Sequence, residues 1–230
     1  MCDIYAGVMP HNADKVSGSE ETFFQGRILC VTNRKLCRGE FLEHIEAVAQ
    51  ASHGRIGGII LREKDLPEAE YGELAGTVLR MCAAYGVPCI LHTFADTALR
   101  LGADALHLPM PLLRQLGEKD KSRFRFLGAS AHSVEEAEEA QSLGCAYITA
   151  SHIYETDCKK GLAPRGLLFL REVCRAVQIP VYALGGIRLS YAAACIQAGA
   201  SGVCIMSECM RRPDLSAVLQ AYKETGGRNC

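Results

Sequence analysis

The stretch Cys145-Ala146-Tyr147-Ile148-Thr149-Ala150 decides the fold, because this short apolar run with β-branched and aromatic residues predicts a buried strand. A helical segment over residues 133–143 precedes it, and Ser133 with Glu136 three positions later suits a helix-capping box. Gly144 stands between helix and strand, where a left-handed residue commonly ends a helix. A helix that leads at once into a buried strand is the unit of α/β folds with a parallel sheet.

The same unit recurs on both sides of this stretch. Apolar runs predict strands at residues 28–31, 58–61, 88–91, 105–108, 124–128, 146–149, 180–184 and 202–206. Apolar residues at three- and four-residue spacing predict helices at 41–51, 68–85, 95–101, 112–116, 133–143, 167–177, 189–198 and 215–222. Eight strands, each followed by a helix within about 200 residues, predict a (β/α)8 TIM barrel. The alternative is an open doubly wound sheet, which seldom carries eight such even repeats.

The barrel is predicted as one domain over residues 26–224. Residues 1–25 show no sustained period and predict an N-terminal extension that is poorly ordered, and residues 225–230 predict a frayed C-terminal tail.

The composition is that of an ordinary soluble globular protein. Apolar residues make up 49% of the 230 residues, charged residues 22%, and the formal net charge is −1, so no basic excess points to nucleic acid or an anionic membrane. We find no signal peptide, and no apolar run approaches the ~18 residues of a membrane span. The twelve cysteines include no Cys-x-x-Cys pair. Together these features predict a reduced, cytoplasmic chain rather than a disulfide framework.

Several charged and small residues fall at the predicted carboxyl ends of the strands, where barrels build their active sites. Arg62 and Lys64 share one face of a strand and indicate either an anion clamp or a solvated charge run. Gly186 and Ser207 follow strands seven and eight, whose loops commonly bind phosphate in barrels. The competing interpretation is that Gly185-Gly186 only makes a tight turn.

The long polar loop after strand six carries the best candidate for acid–base work. His152 lies just beyond the strand end, in the stretch that runs to Ala163. An imidazole with an unperturbed pKa near ~6.5 can take and return a proton at neutral pH. His92 and His107, at the ends of strands three and four, either line the pocket or pack in the core.

These residues together resemble the thiamine phosphate synthase superfamily, and the resemblance covers residues 27–223. The motifs that carry it are Leu61-Arg62-Glu63-Lys64-Asp65, Gly102-Ala103-Asp104-Ala105-Leu106-His107-Leu108, Ser130-Ala131-His132-Ser133-Val134-Glu135-Glu136-Ala137, Ala183-Leu184-Gly185-Gly186-Ile187 and Ala198-Gly199-Ala200-Ser201-Gly202-Val203.

The superfamily has two branches, and the chain departs from one of them. The synthase branch joins a pyrimidine diphosphate to a thiazole phosphate and holds Mg²⁺ with aspartates after strands three and four. Here His92-Thr93 and Pro109-Met110-Pro111-Leu112 stand at those places, so the resemblance implies no metal. The loop from His152 to Leu162 is similar to that of the TenI branch, the thiazole tautomerases.

The TenI resemblance implies an isomerase. It would aromatise a carboxythiazole phosphate of thiamine biosynthesis without a cofactor, with His152 as the catalytic proton carrier. Gly186, Met206 and Ser207 would hold the phosphate, and Arg62, Lys64, Ser130 and Lys159 would bind the remaining negative charge of the substrate. The implied partner is this small thiazole phosphate, and a homo-oligomer stays open. Two alternatives remain: a divergent thiamine phosphate synthase, and a non-catalytic regulator that binds a thiazole phosphate.

Overall fold

The computed structural model describes residues 27–52, 56–156 and 161–211, and it confirms the predicted (β/α)8 barrel. Eight parallel strands pair in sequence order, and β8 closes the barrel against β1. The strands are β1 (Arg27–Val31), β2 (Ile56–Leu61), β3 (Cys89–His92), β4 (Ala105–Pro109), β5 (Phe126–Ala131), β6 (Tyr147–Ser151), β7 (Val181–Leu184) and β8 (Gly202–Ile205).

Helices follow the strands around the outside of the barrel. They are α1 (Phe41–Ser52), α2 (Glu68–Ala84), α3 (Ala95–Arg100), α4 (Met110–Gln115), α5 (Glu118–Lys121), α6 (Val134–Ser142), α7 (Gly166–Ala176), α8 (Leu189–Gln197) and α9 (Ser207–Arg211). A 3₁₀ turn spans Arg34–Leu36. The sequence did not predict this turn, α5 or α9, because segments of three to five residues are too short to show a helical period. The predicted helix at 215–222 and both predicted terminal segments lie outside the described residues.

Alternating side chains of the strands divide the core into two parts. The larger part fills the space between the barrel and the helices. The smaller part fills the barrel itself and consists of Leu29, Val31, Ile60, Ile90, Ala105, Tyr147, Tyr182 and Cys204. Because successive strand residues point to opposite faces, residues two positions farther along each strand continue the inward row toward the carboxyl end.

Local hydrogen bonds fix the ends of the elements. The Ser133 hydroxyl accepts the Glu136 amide at 3.1 Å and caps α6, as predicted, whereas the Glu136 carboxylate accepts the His132 amide at 2.7 Å. Buried Tyr71 on α2 donates its hydroxyl to the Leu61 carbonyl and accepts the His92 amide. These bonds hold α2 against the carboxyl ends of β2 and β3.

The chain beyond β6 packs directly on the end of β7. The amides of Ile153 and Tyr154 donate to the carbonyls of Leu184 and Gly185, both at 3.0 Å. A Cβ added to Gly185 would stand 2.4 Å from the His152 Cβ. One added to Gly186 would stand 2.3 Å from the Glu155 carbonyl oxygen. The Gly185-Gly186 pair therefore allows this close approach of the loop.

Two general features bear on the sequence predictions. In the part of the chain that the structure describes, no helix combines the length and apolarity needed to cross a bilayer. The nine cysteines within the described ranges are free thiols, and seven of them are buried.

We predict that Gly185→Ala destabilises the protein more than Gly144→Ala does. Both glycines have positive φ, +93° and +84°, so both alanines carry about 1–2 kcal/mol of backbone strain. Only the Gly185 variant adds an overlap with His152, which costs roughly 1–3 kcal/mol more, whereas a Cβ at Gly144 meets no atom within 4 Å. Urea unfolding of the two variants measures the difference, and equal losses would show that the loop does not rest on β7 as described.

Candidate functional site

The inward rows of the strands become polar at the carboxyl end of the barrel. His92 follows Ile90 on β3, His107 follows Ala105 on β4, and Ser130 lies on β5 beside Thr149 of β6 in the strand register. Arg62 continues the inward row of Ile60 just beyond β2. The mouth of the barrel thus combines imidazoles, hydroxyls and cationic side chains.

The acidic residues of the Arg62-Glu63-Lys64-Asp65 stretch are engaged by the segment after β1. Buried Glu63 accepts the Thr32 hydroxyl at 2.6 Å and the Arg34 amide at 3.1 Å. Asp65 accepts both terminal nitrogens of Arg34, at 2.6 and 2.8 Å, and these bonds hold the pKa of Asp65 well below its usual value. The Arg62 amide donates to the Thr32 hydroxyl at 2.9 Å. The carboxylates of Glu63 and Asp65 therefore hold the segment after β1 against the segment after β2.

A chain of polar side chains crosses the interior below this rim. The Nδ1 atom of His107 lies 3.0 Å from the Tyr147 hydroxyl, and its Nε2 atom lies 2.9 Å from the Ser130 hydroxyl. Thr149 places its hydroxyl 3.4 Å from the Ser130 oxygen. The His92 ring stacks on the His107 ring with centroids 5.5 Å apart.

Both histidines of this layer are neutral at physiological pH. Burial lowers the pKa of His107 to about 3, with further contributions from the positive charges of Arg62 and Lys64. Burial, His107, Arg62 and Lys64 likewise hold the pKa of His92 well below its ordinary value. The charges of Arg62 and Lys64 thus act on these two histidines. The anion clamp at Arg62 and Lys64 stays a prediction.

His152 is buried at the rim and does not face bulk solvent, with 4% of its surface exposed. Its Nε2 atom lies 3.3 Å from the Leu162 carbonyl oxygen, and its Nδ1 atom has no hydrogen-bond partner among the described residues. If Nε2 carries the proton and donates it, Nδ1 presents a lone pair. The predicted catalytic role of His152 stays a prediction, because its packing on Gly185 also explains its burial.

The predicted phosphate residues lie on neighbouring strand ends. Gly186 follows β7, and Met206 and Ser207 follow β8, with Met206 packed on the inner core and Ser207 exposed. The Glu208 carboxylate accepts the Leu189 amide at 2.9 Å and so occupies a donor of the first turn of α8. Phosphate binding at this place remains a prediction. Lys159 lies outside the described residues, as does Cys158.

The described residues do not fit the magnesium site of the synthase branch. No group of three or more His, Cys, Asp or Glu in ranges 27–52, 56–156 and 161–211 is placed to hold a metal ion. His92 and Thr93 hydrogen-bond to each other at the end of β3, and Pro109 ends β4. Mg²⁺ prefers oxygen ligands, carboxylates in particular, and these positions supply no carboxylate.

Sequence reasoning missed the link from Tyr147 through His107 to Ser130. The signal was present in part, because each residue lies on an inward row of its strand. The contact depends on the register of β4, β5 and β6, which places His107 beside Gly128 and Gly128 beside Tyr147. A single sequence does not contain that register.

We predict that His107 makes the protein less stable in mild acid. In the unfolded chain the imidazole binds a proton when the pH falls below its ordinary pKa of 6.5. In the folded protein the pKa of His107 is about 3, so the proton binds only at much lower pH. This stability is therefore complete above the unfolded pKa and falls as the pH drops toward 3, by about 2 kcal/mol between roughly pH 7 and 5. His107→Gln, which cannot titrate, should have the flatter pH dependence in urea unfolding. Parallel curves for the two proteins would contradict a neutral buried His107.

The chain is similar to known proteins over most of its length. Residues 28–209 match the family described as Thiamine monophosphate synthase. The thiamine-phosphate synthase of Roseiflexus castenholzii is 33% identical over 203 residues, 86% of each chain. The putative thiamine-phosphate synthase 2 of Aquifex aeolicus is 35% identical over 177 residues, 77% of this chain and 94% of that protein. Thiamine phosphate pyrophosphorylase from Pyrococcus furiosus has a similar structure, with a TM-score of 0.73, 26% identity and coverage of 88% and 96% of the two chains.

These relatives correct one prediction. The isomerase class, a thiazole tautomerase, was predicted from the stretch His152 to Leu162, but the curated relatives that match over most of the chain are named as thiamine-phosphate synthases, which are transferases. The similarity of that stretch to the tautomerase branch therefore does not decide the reaction class, because the relatives that carry the synthase name match along most of the chain. From the match over residues 28–209 and the identity of the relatives, the chain belongs to the thiamine monophosphate synthase family.

Proposed function

We propose that the chain is a divergent thiamine-phosphate synthase, a transferase that joins a pyrimidine diphosphate to a thiazole phosphate and releases pyrophosphate. Relatives with this name are about one third identical over 85–86% of the chain. The proposal places both substrates at the carboxyl end of the barrel, where the polar inward rows end.

The observation that carries the proposal is the polar mouth of the barrel, where Arg62 and Lys64 follow β2 and the inward row of β5 ends in Ser130, 2.9 Å from Nε2 of His107. Both charges lower the pKa of His92 and of His107, so their positive potential extends into the mouth beside Ser130. A departing diphosphate gains negative charge as its bond to carbon breaks. Cations fixed beside that group stabilise the transition state more than the bound substrate, which is the requirement for faster transfer.

The second substrate needs its own anion site. Backbone groups at Gly186, Met206 and Ser207 follow β7 and β8, and β1 separates these strands from the cations that follow β2. Loops at this place commonly bind phosphate in barrels of this fold. A thiazole phosphate held there would lie across the mouth from a diphosphate at Arg62 and Lys64, with its ring toward the pyrimidine.

Magnesium has no assigned step in this reaction. The described strand ends offer His92, Thr93 and Pro109 where the synthase branch has its metal-binding aspartates. Among the described residues, the groups that would oppose the charge of the diphosphate are Arg62, Lys64 and the Ser130 hydroxyl.

A second candidate is a protein that binds a thiazole phosphate and does not transform it. The replacement of both metal-binding aspartates favours this candidate, because metal-assisted departure of pyrophosphate then lacks its protein ligands. The phosphate loops and the rim cations would serve binding in either case.

We predict that the purified chain forms thiamine phosphate from the pyrimidine diphosphate and the thiazole phosphate, with one pyrophosphate released per product. Arg62→Ala should lower kcat/KM by about 10²-fold or more, because it removes charge stabilisation from the leaving group. The matched control is Arg123→Ala, an exposed arginine before β5 at the opposite end of the barrel, which should leave the rate unchanged.

Product analysis by chromatography and calorimetric titration with thiazole phosphate separate the candidates. Binding without product in the wild-type chain would replace the transferase by the binding protein. No binding of the thiazole phosphate would refute both.

A further inference from the structure

A buried polar chain reaches from the centre of the barrel to its mouth. Tyr147 and His107 are 0% and 2% exposed, and the hydroxyl of the first contacts Nδ1 of the second at 3.0 Å. The other ring nitrogen of His107 contacts half-buried Ser130 at 2.9 Å. Ser130 is thus the outer end of the chain and the member nearest a ligand in the mouth.

Gly128 leaves the space that the Tyr147 ring needs to reach His107. In the strand register Gly128 lies between His107 on β4 and Tyr147 on β6. A Cβ at Gly128 would stand 2.3 Å from two ring carbons of Tyr147 and 2.7 Å from its oxygen. The Tyr147 ring therefore crosses over β5 in the space that a side chain would fill, and so reaches His107.

The hydrogen bonds between Tyr147, His107 and Ser130 have two consistent arrangements of their protons, one for each neutral tautomer of His107. Burial raises the pKa of the Tyr147 phenol well above its ordinary value, so it keeps its proton, and His107 is neutral with one N–H and one lone pair. Either Ser130 donates inward to His107, or the Nε2–H of His107 donates to Ser130. In the second arrangement Nδ1 accepts the Tyr147 proton and the Ser130 proton points away from His107.

An anion in the mouth selects the second arrangement. Arg62 and Lys64 attract negative charge to this rim, and an anionic oxygen accepts hydrogen bonds but offers none. The Ser130 oxygen then accepts from His107, with Thr149 at 3.4 Å as a further donor, while its own proton is given to the anion. Every member of the chain then has a partner of the right kind.

We propose that His107 is a positioning residue whose Nε2–H tautomer, supported by the Tyr147 hydroxyl, aims the Ser130 proton at an anionic ligand group held beside Arg62 and Lys64. The inference rests on the proposed function only for the identity of that anion as a diphosphate. It assigns to Tyr147, His107 and Gly128 a role in ligand binding beyond filling the barrel.

The tautomer of His107 can be measured directly. We expect ¹⁵N spectra of histidine-labelled protein saturated with inorganic pyrophosphate to show His107 neutral and protonated at Nε2. Tyr147→Phe should mix or invert the tautomers. Tyr71→Phe, which removes a buried hydroxyl that contacts Leu61 and His92 instead, should leave the His107 signals unchanged.

Affinity for pyrophosphate gives the second readout. His107→Leu should weaken binding roughly tenfold, because Ser130 loses the donor that orients it, whereas His107→Gln keeps an N–H donor and most of the affinity. Where the Leu variant fails to fold, the Tyr147→Phe spectra decide.

The outcomes are separable. Pyrophosphate bound with His107 protonated at Nδ1, or equal affinities of folded Leu and Gln variants, would overturn the positioning role and leave the transferase proposal standing. Failure of pyrophosphate to bind the wild-type protein would overturn the proposed function and the positioning role together.

Discussion

Closure of eight parallel strands is the constraint on which the rest of the structure depends. Once β8 pairs with β1, every second side chain must fit inside the barrel, and the available volume fixes what each strand contributes. Apolar side chains such as Leu29 and Ile60, together with Tyr147 and Tyr182, fill the inside of the barrel. The layer toward the mouth can then carry His107 and Ser130, because the two ring nitrogens of His107 find hydroxyl partners on β6 and β5. The site is thus a continuation of the core.

Regular alternation made the barrel predictable, and long-range contacts made the details of the site unpredictable. The apolar runs identified all eight strands, whereas the anion clamp predicted from the two-residue spacing of Arg62 and Lys64 stays a prediction. The glycine pair at 185–186 was interpreted as a phosphate turn, but the structure also requires it for the approach of Tyr154 and Glu155. Such contacts join loops of different strands, and no local pattern encodes them.

The family assignment favours a synthase, whereas the ends of β3 and β4 lack the carboxylates with which the synthase branch binds magnesium. Sequence similarity to thiamine-phosphate synthases extends through nearly the whole barrel. The cations and hydroxyls of the mouth suit a diphosphate. The ends of β3 and β4 carry His92 and Pro109, which cannot replace a carboxylate toward magnesium. A divergent transferase that opposes the leaving group with protein cations reconciles these observations, because fixed cations and a metal ion stabilise the same developing charge.

A crystal structure with thiazole phosphate and pyrophosphate bound together would test the central claim most directly. We expect the pyrophosphate within hydrogen-bond distance of Arg62 and Ser130, and the thiazole phosphate on the backbone of Gly186 and Ser207, with its ring between the two anions. Ligand density outside the barrel mouth, or a pyrophosphate remote from Arg62 in a crystal saturated with both ligands, would contradict it.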